Sequence, residues 1–440
     1  MSISEHRRRR RSILAEMPAD SLLLLPAARP AARNRDVHYP YRQDSDFLYL
    51  TGFPEPDALA VLAPQRKAGE FVLFCRPNDP DKEVWDGARA GVDGARSTYR
   101  ANEAHPIDKL DEVIPELLRG RERVYYPIGA DPDFDRRLID WVSALRTKAR
   151  AGVRAPTELV ASERLLHAQR LIKSRVELRQ MQRAARISAA AHRRLMQGCR
   201  PGLWEYQLEA AFVQHCAERG ARFQAYPPIV GSGANACVLH YVDNRHPLRD
   251  GDLVLIDAGC ELDGYASDIT RTYPVNGRFS AAQRELYELV LAAQQAAIAK
   301  VAPGNRWNDP HDAAVRTLTA GLVELGILAG TKRSVPKLIK DEQYKPYFMH
   351  RTGHWLGMDV HDVGDYKVAG EWRRLEPGMV MTIEPGLYIP ASATEAPARY
   401  HDIGIRIEDD VAITESGNTI LSADAPKEPA ALEALIGSKA

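Results

Sequence analysis

Residues 252–273 read DLVLIDAGCELDGYASDITRTY, and their interpretation decides how the second half of the chain folds. Leu253, Val254, Leu255 and Ile256 form a short apolar run of strand type, Gly264 supplies a turn, and residues 265–273 resume strand composition. The pattern predicts a hairpin that sets Asp257 and Asp268 opposite each other on one face, with Cβ atoms roughly 4.5–5.5 Å apart. Two carboxylates that close repel. They are tolerated only if one keeps its proton, a cationic side chain intervenes, or a metal ion lies between them. Arg271, three residues from Asp268, falls on the other face of an extended strand, so the reading favours a metal.

At 440 residues and 45% hydrophobic, the chain is long enough for two or three domains with sizeable cores. Lys plus Arg and Asp plus Glu number 59 each, so no global charge recruits nucleic acid or an anionic membrane. The five cysteines are odd in number and lack C-x-x-C spacing, which argues against a disulfide framework or a zinc knuckle and fits a reducing cytosol. The early apolar run at residues 22–25 is too short for a signal sequence or a membrane span. Arg7 to Arg11 precede Ile13, Leu14 and Met17, a spacing that predicts a short amphipathic helix with a solvated basic face.

Residues 21–153 alternate strand-like runs at 22–25, 59–62, 71–74 and 124–126 with helical stretches near 107–118 and 133–146, the pattern of an α/β domain. Ser174 with Glu177 forms a capping box, which places the domain boundary there and divides the chain into 1–173 and 174–440. Two helices follow, to about 196 and from 204 to 219. After the hairpin, Ser280 and Gln283 cap a further helix, and Asp309-Pro310 opens another. Residues 331–346 read as a surface loop, and the last strands are expected near 378–384 and 403–414.

Three more segments carry acids or imidazoles. MHRTGHWLGMDVHD (349–362) places His350, His354 and His361 within 12 residues. VMTIEPGLYI (380–389) delivers Glu384 at the tip of an apolar strand, beside Pro385-Gly386. In IGIRIEDDVAIT (403–414), Ile403, Ile405 and Ile407 face one way, so Arg406 and Glu408 share the other face. Asp257, Asp268, His354, Glu384 and Glu408 together offer four negative charges and one neutral imidazole, which two divalent cations neutralise. Oxygen-dominated ligation with one histidine suits Mn²⁺, Co²⁺ or Fe²⁺ better than structural zinc. Two such ions activate water and polarise a carbonyl, the chemistry of metal-assisted hydrolysis.

Those five residues, in that order and spacing, resemble the ligands of the dinuclear pita-bread metallopeptidases, a group that includes methionine aminopeptidase, prolidase and aminopeptidase P. The phrases DAGCELDGYASDITRTY, MHRTGHWLGMDVHD, EPGMVMTIEPGLYI and GIRIEDD are similar to the aminopeptidase P branch, as is YRQDSDFLYLTGFPEPDALAVL (41–62). The resemblance implies an N-terminal creatinase-like α/β domain followed by a C-terminal pita-bread catalytic domain. It further implies a cytoplasmic enzyme that releases the first residue of Xaa-Pro-Yaa peptides by a hydroxide bridging two divalent metals, Mn²⁺ foremost. By the same resemblance Asp257, Asp268, His354, Glu384 and Glu408 are the ligands. His240 and His361 contact the substrate and the tetrahedral intermediate, His350 lies near the proline pocket, Arg406 steadies the carboxylates, and Glu384 takes a proton from water. A homodimer or homotetramer is expected, with Trp85 reaching the substrate across a subunit interface and neither nucleic acid nor membrane as a partner. The alternatives are a prolidase confined to Xaa-Pro dipeptides, a creatinase-like hydrolase without metals, and a binding protein that has lost its ligands.

Overall fold

The apolar runs of the first 160 residues become the strands of one mixed sheet. The computed structural model describes residues 1–438, which divide into two units, Met1–Gln169 and Arg170 onward. In the first unit the sheet runs Glu103–Pro106, Phe71–Cys75, Leu59–Leu62, Ser21–Pro26, Arg123–Tyr126, Glu158–Ala161. Ser21–Pro26 is parallel to Arg123–Tyr126 and antiparallel to Leu59–Leu62. Its leucines do not alternate with polar residues because both faces are buried. On one face Leu22, Leu24, Val61, Val72 and Phe74 meet Ile114, Leu138, Trp141 and Leu145 of the helices Leu110–Leu118 and Pro132–Arg146.

The arginine run departs from expectation. It lies on the helix Ile3–Glu16, but Arg9 and Arg10 are buried rather than solvated. Their guanidiniums sit 4.0 Å over the Tyr49 ring and 4.1 Å over the Phe71 ring, and donate to the carbonyls of Tyr49 (3.0 Å) and Leu50 (2.7 Å) at the end of the helix Ser45–Thr51. A helix C-terminus and aromatic faces both attract cations, so these two arginines pack instead of facing water.

In the second unit the helices Arg175–Gly198, Glu205–Ala217, Ala281–Ile298 and Asp309–Glu324 pack against short antiparallel sheets. Ser174 and Glu177 close the capping box predicted for the first of these, and Ser280 with Gln283 does the same for the third. The fourth is capped one residue earlier than read, at Asn308. Residues 331–346 are not a plain loop. They contain the helix Val335–Lys340, with Pro336 in its first turn, and bury Val335 and Tyr344.

The central hairpin has a different register from the one expected. Leu253–Asp257 pairs with Thr270–Pro274, so Asp257 faces Thr270, and Cys260–Leu262 pairs with Tyr265–Ala266 around Asp263-Gly264. Asp268 is therefore the diagonal neighbour of Asp257 on the same face, not its direct partner. Gly259 makes this possible, since a Cβ there would lie 1.7 Å from the Ser267 carbonyl oxygen. Ile229–Ser232 extends this sheet on its other side. Two further sheets follow, Val380–Ile383 with Asp409–Thr414 and Gly417–Ile420, and Gly386–Ile389 with Ile403–Arg406.

Arg271 does face away from the aspartates and ties these layers together. Fully buried, it donates to Asp409 Oδ1 (2.7 Å) and to the carbonyls of Glu408 (2.5 Å), Thr270 (2.9 Å) and Ala425 (2.8 Å). Despite burial, Arg271 and Lys427 hold the Asp409 carboxyl down to about 2. Removing one partner of a buried pair costs about 3–5 kcal/mol. Arg271→Met is therefore expected to lower the urea midpoint of the far-UV circular dichroism transition markedly, and an unchanged midpoint would show that the network contributes nothing to stability.

Candidate metal centre

Asp257 ends its strand, Asp268 and Thr270 follow the hairpin turn, and His354 lies in the Gly-bearing segment after Phe348. Glu384 comes just past Val380–Ile383, and Glu408 between Ile403–Arg406 and Asp409–Thr414. All five acid and imidazole groups line one cavity of about 590 Å³, together with Tyr226, His240, His350, His361 and Arg406. Ligand atoms of Asp268, His354 and Glu408 lie within 4.8 Å of one another. His354 Nε2 is 3.3 Å from Asp268 Oδ2 and 3.7 Å from Glu384 Oε1.

The walls fix these groups. Gly353 passes so close to its neighbouring strand that a Cβ would sit 2.0 Å from the Thr382 carbonyl oxygen. The His354 amide donates to Thr382 Oγ1 (3.0 Å). The Nδ1 proton of His354 goes to the Trp355 carbonyl (2.9 Å), which leaves Nε2 as the nitrogen facing the carboxylates. Arg406 reaches Asp257 Oδ2 (2.6 Å), and its Nε donates to Thr270 Oγ1 (3.2 Å), which in turn donates to Glu408 (2.6 Å). His350 is committed at both nitrogens, Nδ1 to the Arg351 carbonyl (2.7 Å) and Nε2 to the Tyr388 hydroxyl (2.9 Å). His240 and His361 line the cavity with exposed rings, and the His361 ring lies 4.3 Å, edge to face, from that of His354.

Sequence reasoning missed Tyr226, whose hydroxyl donates to Asp257 (2.5 Å) and also contacts Asp268. It stands in AYPP, with no acid or histidine beside it, so nothing local marked it. Thr270 was open to detection, being two residues after Asp268 on the same face. Tyr388, which holds both His350 and Arg406, was not.

The donor set fits divalent cations. Four carboxylates meet one buried guanidinium, Arg406, leaving an excess of negative charge in a site removed from water. Burial, reinforced by neighbouring acids, raises Glu408 well above the ordinary carboxylate range and raises Asp268 as well. Burial also lifts Glu384 to about 7, against the pull of His354 and Arg406. For His354 burial opposes charge, but the hydrogen bond to Asp268 and the charges of Glu384 and Asp268 outweigh it and raise the imidazole to about 9. A divalent cation bound among these groups would displace their protons. His350, lowered to about 3 by burial and by Arg406, and His361, lowered by burial and by His354, are neutral.

The profile of metallopeptidase family M24 matches residues 179–415, and that of the aminopeptidase P N-terminal domain matches residues 6–125. The chain is 44% identical to the Xaa-Pro aminopeptidase of Escherichia coli K12, over 99% of this chain and 98% of that one. It is 39% identical to Xaa-Pro aminopeptidase 3 of Mus musculus, over 90% of this chain and 76% of that one. Among solved structures, aminopeptidase PepP of Pseudomonas aeruginosa superposes with a TM-score of 0.97 at 55% identity, covering 99% and 98% of the two chains. Escherichia coli aminopeptidase P with the inhibitor Pro-Leu superposes with a TM-score of 0.95 at 44% identity, covering 99% and 98%.

Both upward shifts mean that the metal-free folded state binds more protons than the unfolded one. His354 stabilises it fully below its ordinary value of 6.5, and that contribution is lost as pH rises through about 9. Glu384 acts with the same sign, its contribution being lost through about 7. The melting temperature of the metal-free protein is thus expected to fall from pH 6 to pH 9. Binding of Mn²⁺ must displace these protons. Calorimetry at pH 7.5 in buffers of different ionisation enthalpy should record release of about one proton or more per chain, and none would contradict the assignment of His354 and Glu384.

Proposed function

This chain belongs to metallopeptidase family M24 and is a metal-dependent aminopeptidase with the pita-bread fold, and from that premise we propose that it releases the first residue of Xaa-Pro-Yaa peptides. The carrying observation is the gathering of four carboxylates and one histidine in a single cavity whose wall also presents three further imidazoles. We assign Asp257, Asp268, His354, Glu384 and Glu408 as ligands of two divalent cations, with Mn²⁺ the ion expected. When bound, such ions supply Lewis-acid polarisation of the scissile carbonyl and acidify water.

The protein's own groups do the rest. Glu384, on the cavity wall beside His354, is suited to take a proton from the attacking water and pass it on. His240 and His361 line the cavity, and their imidazoles donate hydrogen bonds to the substrate and to the oxygen that gains charge in the transition state. His350 has both nitrogens engaged, so it offers the substrate its ring, a surface against which a pyrrolidine packs. Arg406, bonded to Asp257 and linked through Thr270 to Glu408, holds the carboxylates in place while lowering their mutual repulsion. An Xaa-Pro bond lacks the amide N–H that other peptidases grip, so selectivity rests on the fit of the ring.

We place the enzyme in the cytoplasm, a reading supported by five cysteines that are all free. We expect a homodimer or homotetramer in which Trp85, strongly exposed on the helix Pro80–Asp86, meets another subunit. Among the described residues no helix is long and apolar enough to cross a membrane. The full ligand set argues against a metal-free hydrolase or a binding protein, and the relatives are aminopeptidases rather than prolidases.

Assayed with Mn²⁺, the protein should cleave Xaa-Pro-Yaa tripeptides and lose activity on chelation. Preference for Xaa-Pro dipeptides would instead identify a prolidase. Glu408→Gln should lower kcat/KM on the order of 10³-fold or more, the loss of several kcal/mol of transition-state stabilisation. His361→Ala should lower kcat about 10²-fold with metal content intact, and a kcat equal to wild type would remove His361 from the mechanism.

A further inference from the structure

His361 lines the cavity, yet among the described residues no hydrogen bond holds its imidazole. Its neighbour Asp362 is the opposite case, a carboxylate almost without solvent contact and gripped from both sides. Arg170 Nη2 donates to Asp362 Oδ1 at 2.6 Å and Lys173 Nζ to Oδ2 at 2.9 Å, and all three side chains are at most 3% exposed. Arg170 also meets Asp359 (2.7 Å), so two cations face two carboxylates. The grip is tight enough to exclude a side chain at Gly357, where a Cβ would sit 2.0 Å from Asp362 Oδ2 and 2.9 Å from Lys173 Cε.

The clamp is wired to the metal centre through one carbonyl. The Asp362 amide donates to the Trp355 oxygen at 2.9 Å, the same oxygen that takes the Nδ1 proton of His354. The segment 354–362 is thereby closed into a loop with its two functional imidazoles at either end. The Gly357 carbonyl pins it to the hairpin through the Ala266 amide (2.8 Å), and the Lys173 amide is fixed by the Gly378 carbonyl (2.8 Å). Buried ion pairs are often no better for stability than apolar packing of the same volume. What apolar packing cannot do is fix a carboxylate, and with it the adjoining backbone, at one point.

We infer that Arg170, Lys173 and Asp362 form a positioning device that sets His361 against the substrate and holds the Trp355 carbonyl where it orients His354. The inference rests on the aminopeptidase reading, and none of the three residues lines the cavity. Loss of the device acts on turnover, with kcat and kcat/KM falling together and KM little changed.

The test compares Asp362→Asn, Lys173→Met, Lys173→Arg and the apolar triple variant Arg170→Met/Lys173→Met/Asp362→Leu with wild type on an Xaa-Pro-Yaa tripeptide in Mn²⁺, with metal content and melting temperature measured on each. Asp362→Asn and Lys173→Met should lose about 10–100-fold in kcat while retaining wild-type metal content, and Lys173→Arg should recover most of it. The triple variant should melt near wild type and still turn over slowly. Full kcat in the folded triple variant, or losses that follow melting temperature or metal content, would overturn the inference. A wild type that fails to cleave the tripeptide would sink the aminopeptidase reading instead. The clamp would then be judged by crystal structures of wild type and Asp362→Asn. Displacement of His361 in the variant would uphold it, and an unmoved segment 354–362 would reject it.

Discussion

Repulsion among acids that are denied water is the constraint from which the rest of this structure follows. Asp257, Asp268, Glu384 and Glu408 come from four separate stretches and converge on one cavity with a single buried guanidinium among them. No chain gathers such charge without a counterweight, because the desolvation of each carboxylate adds to the repulsion by its neighbours. Protons supply part of that counterweight. Glu384, Asp268 and Glu408 are pushed up, His354 is held charged, and the Tyr226 hydroxyl bridges Asp257 and Asp268.

The scaffold is arranged to keep that cluster from relaxing. Strand ends present the carboxylates, and glycines at 259 and 353 let backbones approach more closely than a side chain permits. A layer of hydrogen bonds then fixes several of the cavity's side chains. Arg406 and Thr270 serve Asp257 and Glu408, Thr382 and the Trp355 carbonyl serve His354, and Tyr388 serves His350 and Arg406. Behind them Arg271 with Asp409 welds the hairpin to the last strands, and Arg170 with Lys173 and Asp362 fixes the histidine segment. Those two clusters are counter-paired, whereas the cavity gathers four carboxylates around one buried guanidinium, and that excess of acid marks where a cation belongs.

Much of this was readable in the amino-acid sequence, and the misses have physical causes. The four acids and His354 stood out because their chemistry is local: a carboxylate at a strand tip or beside a turn is visible in a short phrase. The face shared by Asp257 and Asp268 was read correctly, but the register was two residues off at Asp268, because the turn centres on Asp263-Gly264. The burial of Arg9 and Arg10 is not legible, since sequence periodicity cannot show that Tyr49, Phe71 and two helix-terminal carbonyls wait on the other side. Tyr226 and Tyr388 were invisible for a related reason. A tyrosine reads as core wherever it occurs, and only the folded chain shows where its hydroxyl points.

Two cations held between these five side chains are the premise of the proposed chemistry. Crystals grown with Mn²⁺ and measured at the manganese absorption edge address it most directly. Two anomalous peaks within bonding distance of Asp257, Asp268, His354, Glu384 and Glu408 are the expected result. A map without anomalous density in that cavity, or with the peaks held by other residues, would contradict it.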